Sequence, residues 1–300
     1  MYAKHLNAHD PILEINYINH QNIYMKQSDD NRIIPMTSFS SGNGTSVTDD
    51  VYYYTNQIVN VVMLGKPGED WFLIDCGMPH CGEEIIAVAE DRYGKDRPPV
   101  AIFLSHGHFD HVGGIVKVLE KWDVPVYAHP LEIPFITGKQ EYPEPDTSVE
   151  GGLLAKLSFI YPHEPIDISE RVSDYPEDGN LPGLNEWRWI HAPGHSPGQV
   201  VFFREKDRIL ISADAFVTVK QDSFYKVLVQ KREVQGPPRY LTTDWEAAKE
   251  TVIKLRNLTP SLVIAGHGQY MEGEELKLGL DTLADDFDTL AVPSHGRFVK

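Results

Sequence analysis

The chain has little of several features that would indicate other classes of protein. Among its 300 residues only Cys76 and Cys81 are cysteines. Two thiols are too few for a disulfide framework or an all-thiolate zinc site, and they suit a reducing compartment. No apolar run approaches the roughly 20 residues that cross a bilayer, and the amino end lacks the apolar core of a secretion signal. We therefore expect a cytoplasmic protein with no membrane contact.

Positive charge is also scarce. Lys and Arg number 27 against 44 Asp and Glu, which gives a formal net charge of -17, and no run of basic residues is present. Binding to nucleic acid or to an anionic membrane depends on clustered cations that neutralise phosphates. The composition therefore disfavours both partners, and a small-molecule substrate is expected instead.

The order of apolar segments indicates one large domain with a polar segment in front of it. Residues 1–50 are polar and irregular, and we expect an arm that packs on the body or on a second subunit, so a homodimer remains an open interpretation. Strands and helices alternate over 51–300, except in an irregular insertion at about 131–185 that is typical of a lid or binding loop. Two strand-rich halves with interleaved helices favour sheets covered by helices on their outer faces.

Histidines are the most informative residues of the chain. Four candidate metal ligands lie within six positions, directly after the apolar strand that ends at Leu104: His106, His108, Asp110 and His111. Neutral imidazole and carboxylate are ligands that zinc accepts. Lone histidines are more often structural, but this density at the end of a strand is difficult to explain without a metal.

Three further candidates follow later strands. His195 immediately precedes an apolar strand, Asp214 follows the run at 209–213, and His267 follows the run at 262–265. Each lies beside small residues, which let a polar side chain enter a cleft without burying unpaired backbone groups. The sequence therefore predicts one metal site assembled from four loops.

The series His-x-His-x-Asp-His, then His, then Asp, then His resembles the metallo-β-lactamase superfamily over about residues 55–270. The resemblance implies an αβ/βα sandwich of the α/β class, with two β-sheets flanked by helices and two metal ions at the edges of the sheets. In that family pattern His106, His108 and His195 hold the first ion. Asp110, His111 and His267 hold the second ion, and Asp214 bridges the two.

The resemblance also implies supporting residues and a reaction. Asp75, in Leu-Ile-Asp-Cys-Gly, matches the family's Asp-x-Gly and is expected to support the metal loop, and His191 is expected to pack behind the ligands. Two zinc ions would activate a bridging hydroxide that attacks an ester, lactone or thioester carbonyl, with Asp110 as the catalytic carboxylate. Iron and manganese are alternative metals.

Differences between this sequence and the motifs of individual branches of the family narrow the expected activity. His108 stands where flavodiiron proteins usually carry Glu, and Asp214 stands where the commonest zinc β-lactamases carry Cys. A bridging Asp resembles the glyoxalase II and lactonase branches. The lactonases' catalytic Tyr is missing after Asp214, so we name Tyr225 and Tyr240 as candidate replacements. Together with Phe216, they are candidates for the walls of the substrate pocket, with a place in the core as the alternative.

Two other functions stay open at this stage. An iron-dependent persulfide dioxygenase shares much of the ligand set, and iron in the purified protein would indicate it. A non-catalytic metal-binding scaffold of the same fold is the other alternative. All seven ligand positions are filled, which favours an enzyme.

Overall fold

Two β-sheets with helices on their outer faces make up the described part of the chain, which is residues 24–27, 38, 40–149, 165–219 and 232–300 of a computed structural model. The strands are β1 (Gly44–Ser46), β2 (Val51–Asn56), β3 (Val59–Leu64), β4 (Phe72–Ile74), β5 (Ile102–Phe103), β6 (Val126–Ala128), β7 (Val172–Asp174), β8 (Trp187–His191), β9 (Val200–Arg204), β10 (Ile209–Ala213), β11 (Val217–Val219), β12 (Arg232–Gln235), β13 (Leu262–Ala265) and β14 (Met271–Glu272). The helices are α1 (Gly82–Tyr93), α2 (Phe109–Val112), α3 (Ile115–Lys121), α4 (Ile133–Ile136), α5 (Trp245–Asn257), α6 (Gly273–Asp285) and α7 (Phe287–Leu290).

The first sheet takes its strands in chain order, from β1 to β7. Strands β1 to β4 pair antiparallel, and β4 to β7 pair parallel. Parallel neighbours need crossover connections, which α1 and α3 supply here. The carboxyl ends of β4, β5 and β6 therefore share one edge of the sheet, where the first predicted ligands lie.

The second sheet has the order β14-β13-β10-β9-β8. Strands β10 and β13 are parallel, so the segments that follow them leave the sheet at the same edge. The other pairs of this sheet are antiparallel. Strands β11 and β12 form a separate antiparallel pair.

Alternation of side chains along the strands produces a layered core. In β3, Val62 and Leu64 face the second sheet, whereas Val61 and Met63 face the helices α1 and α3. Strand β9 alternates in the same way between the inter-sheet layer and the layer under α5 and α6. Strands with apolar residues on both faces must be covered on both faces. The αβ/βα sandwich implied by the sequence resemblance is confirmed.

Strands occur within both segments that the sequence indicates to be irregular. Strand β1 lies inside the segment 1–50 and pairs with β2, and β7 lies inside the segment 131–185 and pairs with β6. Both are three-residue strands, and ladder hydrogen bonds rather than apolar patterning hold them, so composition gives little sign of them. Residues 1–23, 28–37, 39 and 150–164 of these segments lie outside the described residues.

Three other features bear on the sequence-based expectations. Within the described residues, Lys26 exchanges backbone hydrogen bonds of 2.9 Å with Asp167, so this short piece of the amino-terminal segment packs on the main body. Cys76 and Cys81 are buried and free. No helix in the described ranges is long and apolar enough to cross a membrane.

Candidate metal centre

The seven predicted ligand side chains converge where loops from both sheets meet. Four of them lie on the loop after β5 and on the short helix α2. The other three lie between β8 and β9, directly after β10, and two residues after the end of β13. All seven are buried, with at most 5% of each residue exposed.

Three histidines form one compact group. Nδ1 of His108 lies 2.9 Å from Nε2 of His195. The ring of His106 lies 4.7 Å from the ring of His108 and 5.1 Å from that of His195, both nearly perpendicular. One ligand atom from each of the three lies within 4.8 Å of the others, which suits a single cation.

Asp110, His111 and His267 form a second group of the same kind. Oδ2 of Asp110 lies 3.3 Å from Nε2 of His267. Asp214 lies between the groups, because Oδ2 is 3.2 Å from Nε2 of His267 and 3.4 Å from Nε2 of His195. A carboxylate in this position reaches both groups of ligands.

Unpartnered buried atoms provide the test of whether these residues fit metal ions. Within the described part of the chain, Nε2 of His106 and Oδ1 of Asp110 are buried without a hydrogen-bond partner, and Nε2 of His111 and Oδ1 of Asp214 form no hydrogen bond beyond their own 3.5 Å contact. A buried polar atom without a partner is costly, and native proteins rarely leave one. Several of them inside one cluster of imidazoles and carboxylates fit a pair of divalent cations.

Hydrogen bonds from behind orient three of the imidazoles. Nδ1 of His111 lies 2.8 Å from the Asp75 carboxylate, and Nδ1 of His267 lies 2.9 Å from the carbonyl oxygen of Ile58. Nδ1 of His195 lies 3.2 Å from Oγ1 of Thr242. Engaging Nδ1 in this way leaves Nε2 free to face the centre, which is the arrangement common to metal-binding histidines.

Asp75 also holds the loop that bears the first ligands. Its Oδ1 accepts a hydrogen bond of 2.8 Å from the backbone N–H of Ser105, and its Oδ2 accepts one of 2.7 Å from the Ser105 hydroxyl. The residue has a φ of 61°, in the left-handed region that Asp tolerates better than most side chains. The carboxylate therefore fixes both the loop and the ring of His111, as the resemblance implies.

The charges within the centre balance through protonated histidine in the metal-free chain. Burial and the neighbouring imidazoles lower the pKa of His106 well below its usual value. Burial acts in the same direction on His267, but the carboxylates of Asp214 and Asp110 outweigh it and raise the pKa of His267 to about 10. The pKa of His111 is raised well above normal in the same way. Two cations bound in the site would replace these protons and would neutralise the carboxylates in their place.

Sequence reasoning missed two residues that tie the ligand loops together. Glu132 is a buried carboxylate between the loop of His106 and His108 and the loop of His195. Asn60 donates hydrogen bonds of 2.9 and 2.7 Å to backbone carbonyls on either side of His267. Glu132 follows β6 by four residues, and a polar residue close behind a strand was the signal that could have found it.

The remaining predicted site residues lie farther from the ligands. Nε2 of His191 donates to the carbonyl of Pro197, and its ring stacks on that of His129 at 4.2 Å. Phe216, for which the sequence left core and pocket wall open, is fully buried and packs in the layer under α5 and α6. Tyr240 packs in a small apolar cluster around Met78 and Val149. Tyr225 lies outside the described residues.

A sequence profile of the metallo-beta-lactamase superfamily matches residues 54–267, which is more than half of the chain and includes every predicted ligand. The chain belongs to the metallo-beta-lactamase superfamily. It is 44% identical, over 259 residues, to the probable metallo-hydrolase YflN of Bacillus subtilis (strain 168). The match covers 86% of this chain and 98% of that protein.

Solved structures of the superfamily share the fold. MEM-A1, a subclass B3 metallo-beta-lactamase isolated from a soil metagenome library, has a TM-score of 0.53 and 16% identity, covering 76% of this chain and 81% of its own. TTHA1623, solved in a di-iron-bound form, has a TM-score of 0.50 and 26% identity, covering 76% of this chain and 94% of its own. The superfamily is therefore established for this chain, together with a His and Asp cluster that fits divalent metals.

Proposed function

We propose that the chain is a hydrolase that uses two zinc ions to direct water onto the carbonyl carbon of an ester, a lactone or a thioester, so that the bond from that carbon to the leaving oxygen or sulfur breaks. The observation that carries the proposal is the position of Asp214 within 3.5 Å of imidazoles from both ligand groups. In this proposal His106, His108 and His195 would hold the first ion, and Asp110, His111 and His267 would hold the second. Asp214 would be a ligand of both.

The metal ions would supply the chemistry that the side chains lack. Zinc can lower the pKa of a water from 15.7 to about 7 and can polarise a carbonyl oxygen. The chain offers no competing thiol nucleophile among its cysteines, because burial raises the pKa of Cys76 well above normal and raises that of Cys81 as well. Both thiols therefore stay protonated at neutral pH.

Asp110 is the residue to which we assign the positioning of the attacking water. Its Oδ2 lies beside His267, while its Oδ1 is buried without a hydrogen-bond partner among the described residues. Burial raises the pKa of this carboxyl, but His111 and His267 outweigh it and lower the pKa. Asp110 is therefore ionised, and Oδ1 can accept a hydrogen bond from the water and fix its direction of attack.

An iron-dependent persulfide dioxygenase is the second candidate. TTHA1623 was solved in a di-iron-bound form, and its sequence is 26% identical to this chain. His108 in the first ligand group favours zinc, since imidazole suits zinc as well as iron while the oxygen-reducing diiron branch usually carries Glu there. A non-catalytic scaffold is disfavoured by the presence of every ligand and of Asp110.

We propose a cytoplasmic location and a small-molecule substrate. Two buried free thiols are compatible with a reducing compartment, and a centre that is at most 5% exposed admits a small molecule more readily than a polymer. A homodimer stays a prediction, and sedimentation of the purified protein tests it.

The test is hydrolysis by the zinc-loaded protein across a panel of lactones, thioesters, aryl esters, phosphotriesters and β-lactams. Activity on a lactone, thioester or aryl ester that is lost in Asp110→Asn supports the proposal and identifies the substrate class. Activity that survives in Asp110→Asn contradicts the role of that carboxylate. No activity with zinc, together with oxygen consumption on a persulfide by the iron-loaded protein, would replace the hydrolase with the dioxygenase.

A further inference from the structure

Glu132 is a buried carboxylate with an unusual set of contacts. It is 1% exposed, and four hydrogen bonds from described residues reach its two oxygens. Oε2 accepts from the backbone N–H of Gly107 at 2.9 Å and from the hydroxyl of Tyr142. Oε1 accepts from the hydroxyl of Ser196 at 2.6 Å and from the backbone N–H of Gly198 at 2.7 Å. Every contact is a donor, which satisfies an ionised carboxylate.

These contacts join loops that belong to different halves of the fold. Gly107 lies between His106 and His108, on the loop after β5 of the first sheet. Ser196 and Gly198 follow His195, on the loop that leads into β9 of the second sheet. One carboxylate thus spans from the backbone between two ligands to the backbone beside the third.

Two glycines show that the fit around this carboxylate is close. A Cβ built at Gly198 would lie 2.8 Å from Cγ of Glu132, and one built at Gly107 would lie 2.8 Å from the hydroxyl oxygen of Tyr142. Real Cβ atoms essentially never make contacts this short. Glycine at both positions allows the Glu132 group to approach the backbone of both loops.

We propose that Glu132 is a positioning residue that sets the separation between the loop of His106 and His108 and the loop of His195. Its hydrogen bonds go to Gly107, Tyr142, Ser196 and Gly198 rather than to a predicted ligand, so it acts by holding the loops on which those ligands lie. The inference rests on the proposed metal centre. Its consequence is that the three-histidine group keeps a geometry suited to a cation only while Glu132 bonds both loops.

Tyr142 belongs to the same hydrogen-bond network as Glu132. Its ring lies 4.4 Å from that of His108 and stacks on Phe135 at 4.0 Å. Its hydroxyl accepts from the N–H of Gly107 at 3.0 Å while donating to Glu132. Tyr142 therefore supports the first loop, and its contact with the ring of His108 limits how far that ring can turn.

The substitution Glu132→Gln tests the inference with little change in volume. An amide has one oxygen and one NH2 group, so the NH2 must meet the N–H of Gly107 or of Gly198, and one loop loses its bond. Residues behind metal ligands typically contribute 10- to 100-fold in metal affinity. We expect cobalt affinity to fall by roughly that factor, and the visible absorption bands of bound cobalt to shift, because the histidine geometry changes.

The measurement is best made on the three-histidine group alone. His267→Ala removes a predicted ligand of the second ion, so cobalt binding by this variant reports on His106, His108 and His195 with Asp214. Glu132→Gln is added to this background and to the unmodified chain. Tyr142→Phe, which keeps the ring and removes one donor to Glu132, should produce a smaller loss in the same direction.

Asp146→Asn is the matched control. Asp146 is also a buried carboxylate, and its bonds go to Ser148 and to the backbone N–H of Arg297 rather than to a ligand loop. We expect it to lower thermal stability without altering the cobalt spectrum. A purely structural role for Glu132 would make the two variants alike.

The outcomes separate this inference from the proposed function. If the unmodified chain binds no cobalt or zinc, the metal centre itself fails. If it binds metal and Glu132→Gln binds with the same affinity and spectrum, the centre stands and the inference is overturned. If Glu132→Gln does not fold, unchanged cobalt affinity and spectrum in Tyr142→Phe overturn the inference, and a shifted spectrum with weaker binding supports it.

Discussion

The carboxylate of Asp75 lies 2.8 Å from Nδ1 of His111, and the same carboxylate binds the backbone and hydroxyl of Ser105. The position of one side chain thus fixes both the loop that carries the first ligands and the ring of a ligand of the second group. A carboxylate behind a histidine also sets which ring nitrogen bears the proton. This arrangement keeps Nε2 of His111 unprotonated when a cation is bound.

We predict that Asp75→Asn weakens binding of the second ion. The amide oxygen must serve the N–H of Ser105, so the NH2 group meets Nδ1 of His111 and forces the ring proton to Nε2. We expect a loss of roughly 10- to 100-fold in metal affinity, measured by competition with a chelator. Asp207→Asn is the control, since Asp207 pairs with Arg204 far from the ligands. Equal affinity in Asp75→Asn and the unmodified chain would refute this role.

Proton release should accompany metal binding. In the metal-free chain Asp214 and Asp110 raise the pKa of His267 to about 10, against an ordinary value of 6.5. The protonated ring therefore stabilises the metal-free fold fully below pH 6.5, and this contribution is lost as pH rises through about 10. Between these limits a cation must displace the proton, so metal affinity rises with pH. Calorimetry at pH 8 in two buffers with different ionisation enthalpies measures the release, and identical heats in both would contradict it.

Gly194→Ala should damage both stability and metal binding. Gly194 has a φ of 132°, and a Cβ there would lie 2.4 Å from the backbone of Ala248 in α5. Its carbonyl also accepts hydrogen bonds from the N–H groups of Thr243 and Asp244, where α5 begins. The loop of His195 therefore packs directly on this helix. A methyl group at Gly194 must displace either the loop or the helix.

Gly68→Ala is the control for Gly194→Ala. Gly68 has a φ of 91° and nothing within 4 Å of a built Cβ, so this variant carries only the backbone strain. We expect Gly194→Ala to lower the free energy of unfolding by about 1–3 kcal/mol more than Gly68→Ala, the usual cost of overpacking. Urea denaturation measures the difference, and equal losses would mean that α5 does not constrain the loop.

The metal ligands could be predicted from the sequence because each of them has a recognisable pattern of neighbouring residues. His106 to His111 follow an apolar strand, Asp214 comes directly after β10, and His267 lies two residues after the end of β13. A polar residue beside glycine or alanine at the end of a buried strand is visible without knowledge of the fold. The sandwich itself depended on the family resemblance, because alternation of strands and helices fits several α/β architectures.

The residues that hold the ligand loops together could not be predicted from local sequence patterns. Glu132 bonds to Gly107 and Gly198, which are 25 and 66 positions away, and Asn60 bonds to Gly268, 208 positions away. Such contacts join loops that are distant along the chain, and those to Gly198 and Gly268 form only once the two sheets have packed. For Phe216 the sequence could not separate core from pocket wall, because the direction of a side chain depends on the backbone that follows the strand.

The most direct test is a titration of the metal-free protein with zinc while hydrolysis of the panel substrates is followed. We predict that activity on an ester, lactone or thioester is absent without metal and rises until two zinc ions are bound per chain. A further equivalent of zinc should not increase the activity. Asp110→Asn should turn over that substrate roughly 10²- to 10⁴-fold more slowly at the same zinc content. Two bound zinc ions with no hydrolysis of any ester, lactone or thioester, or full activity without metal, would contradict a dinuclear zinc hydrolase.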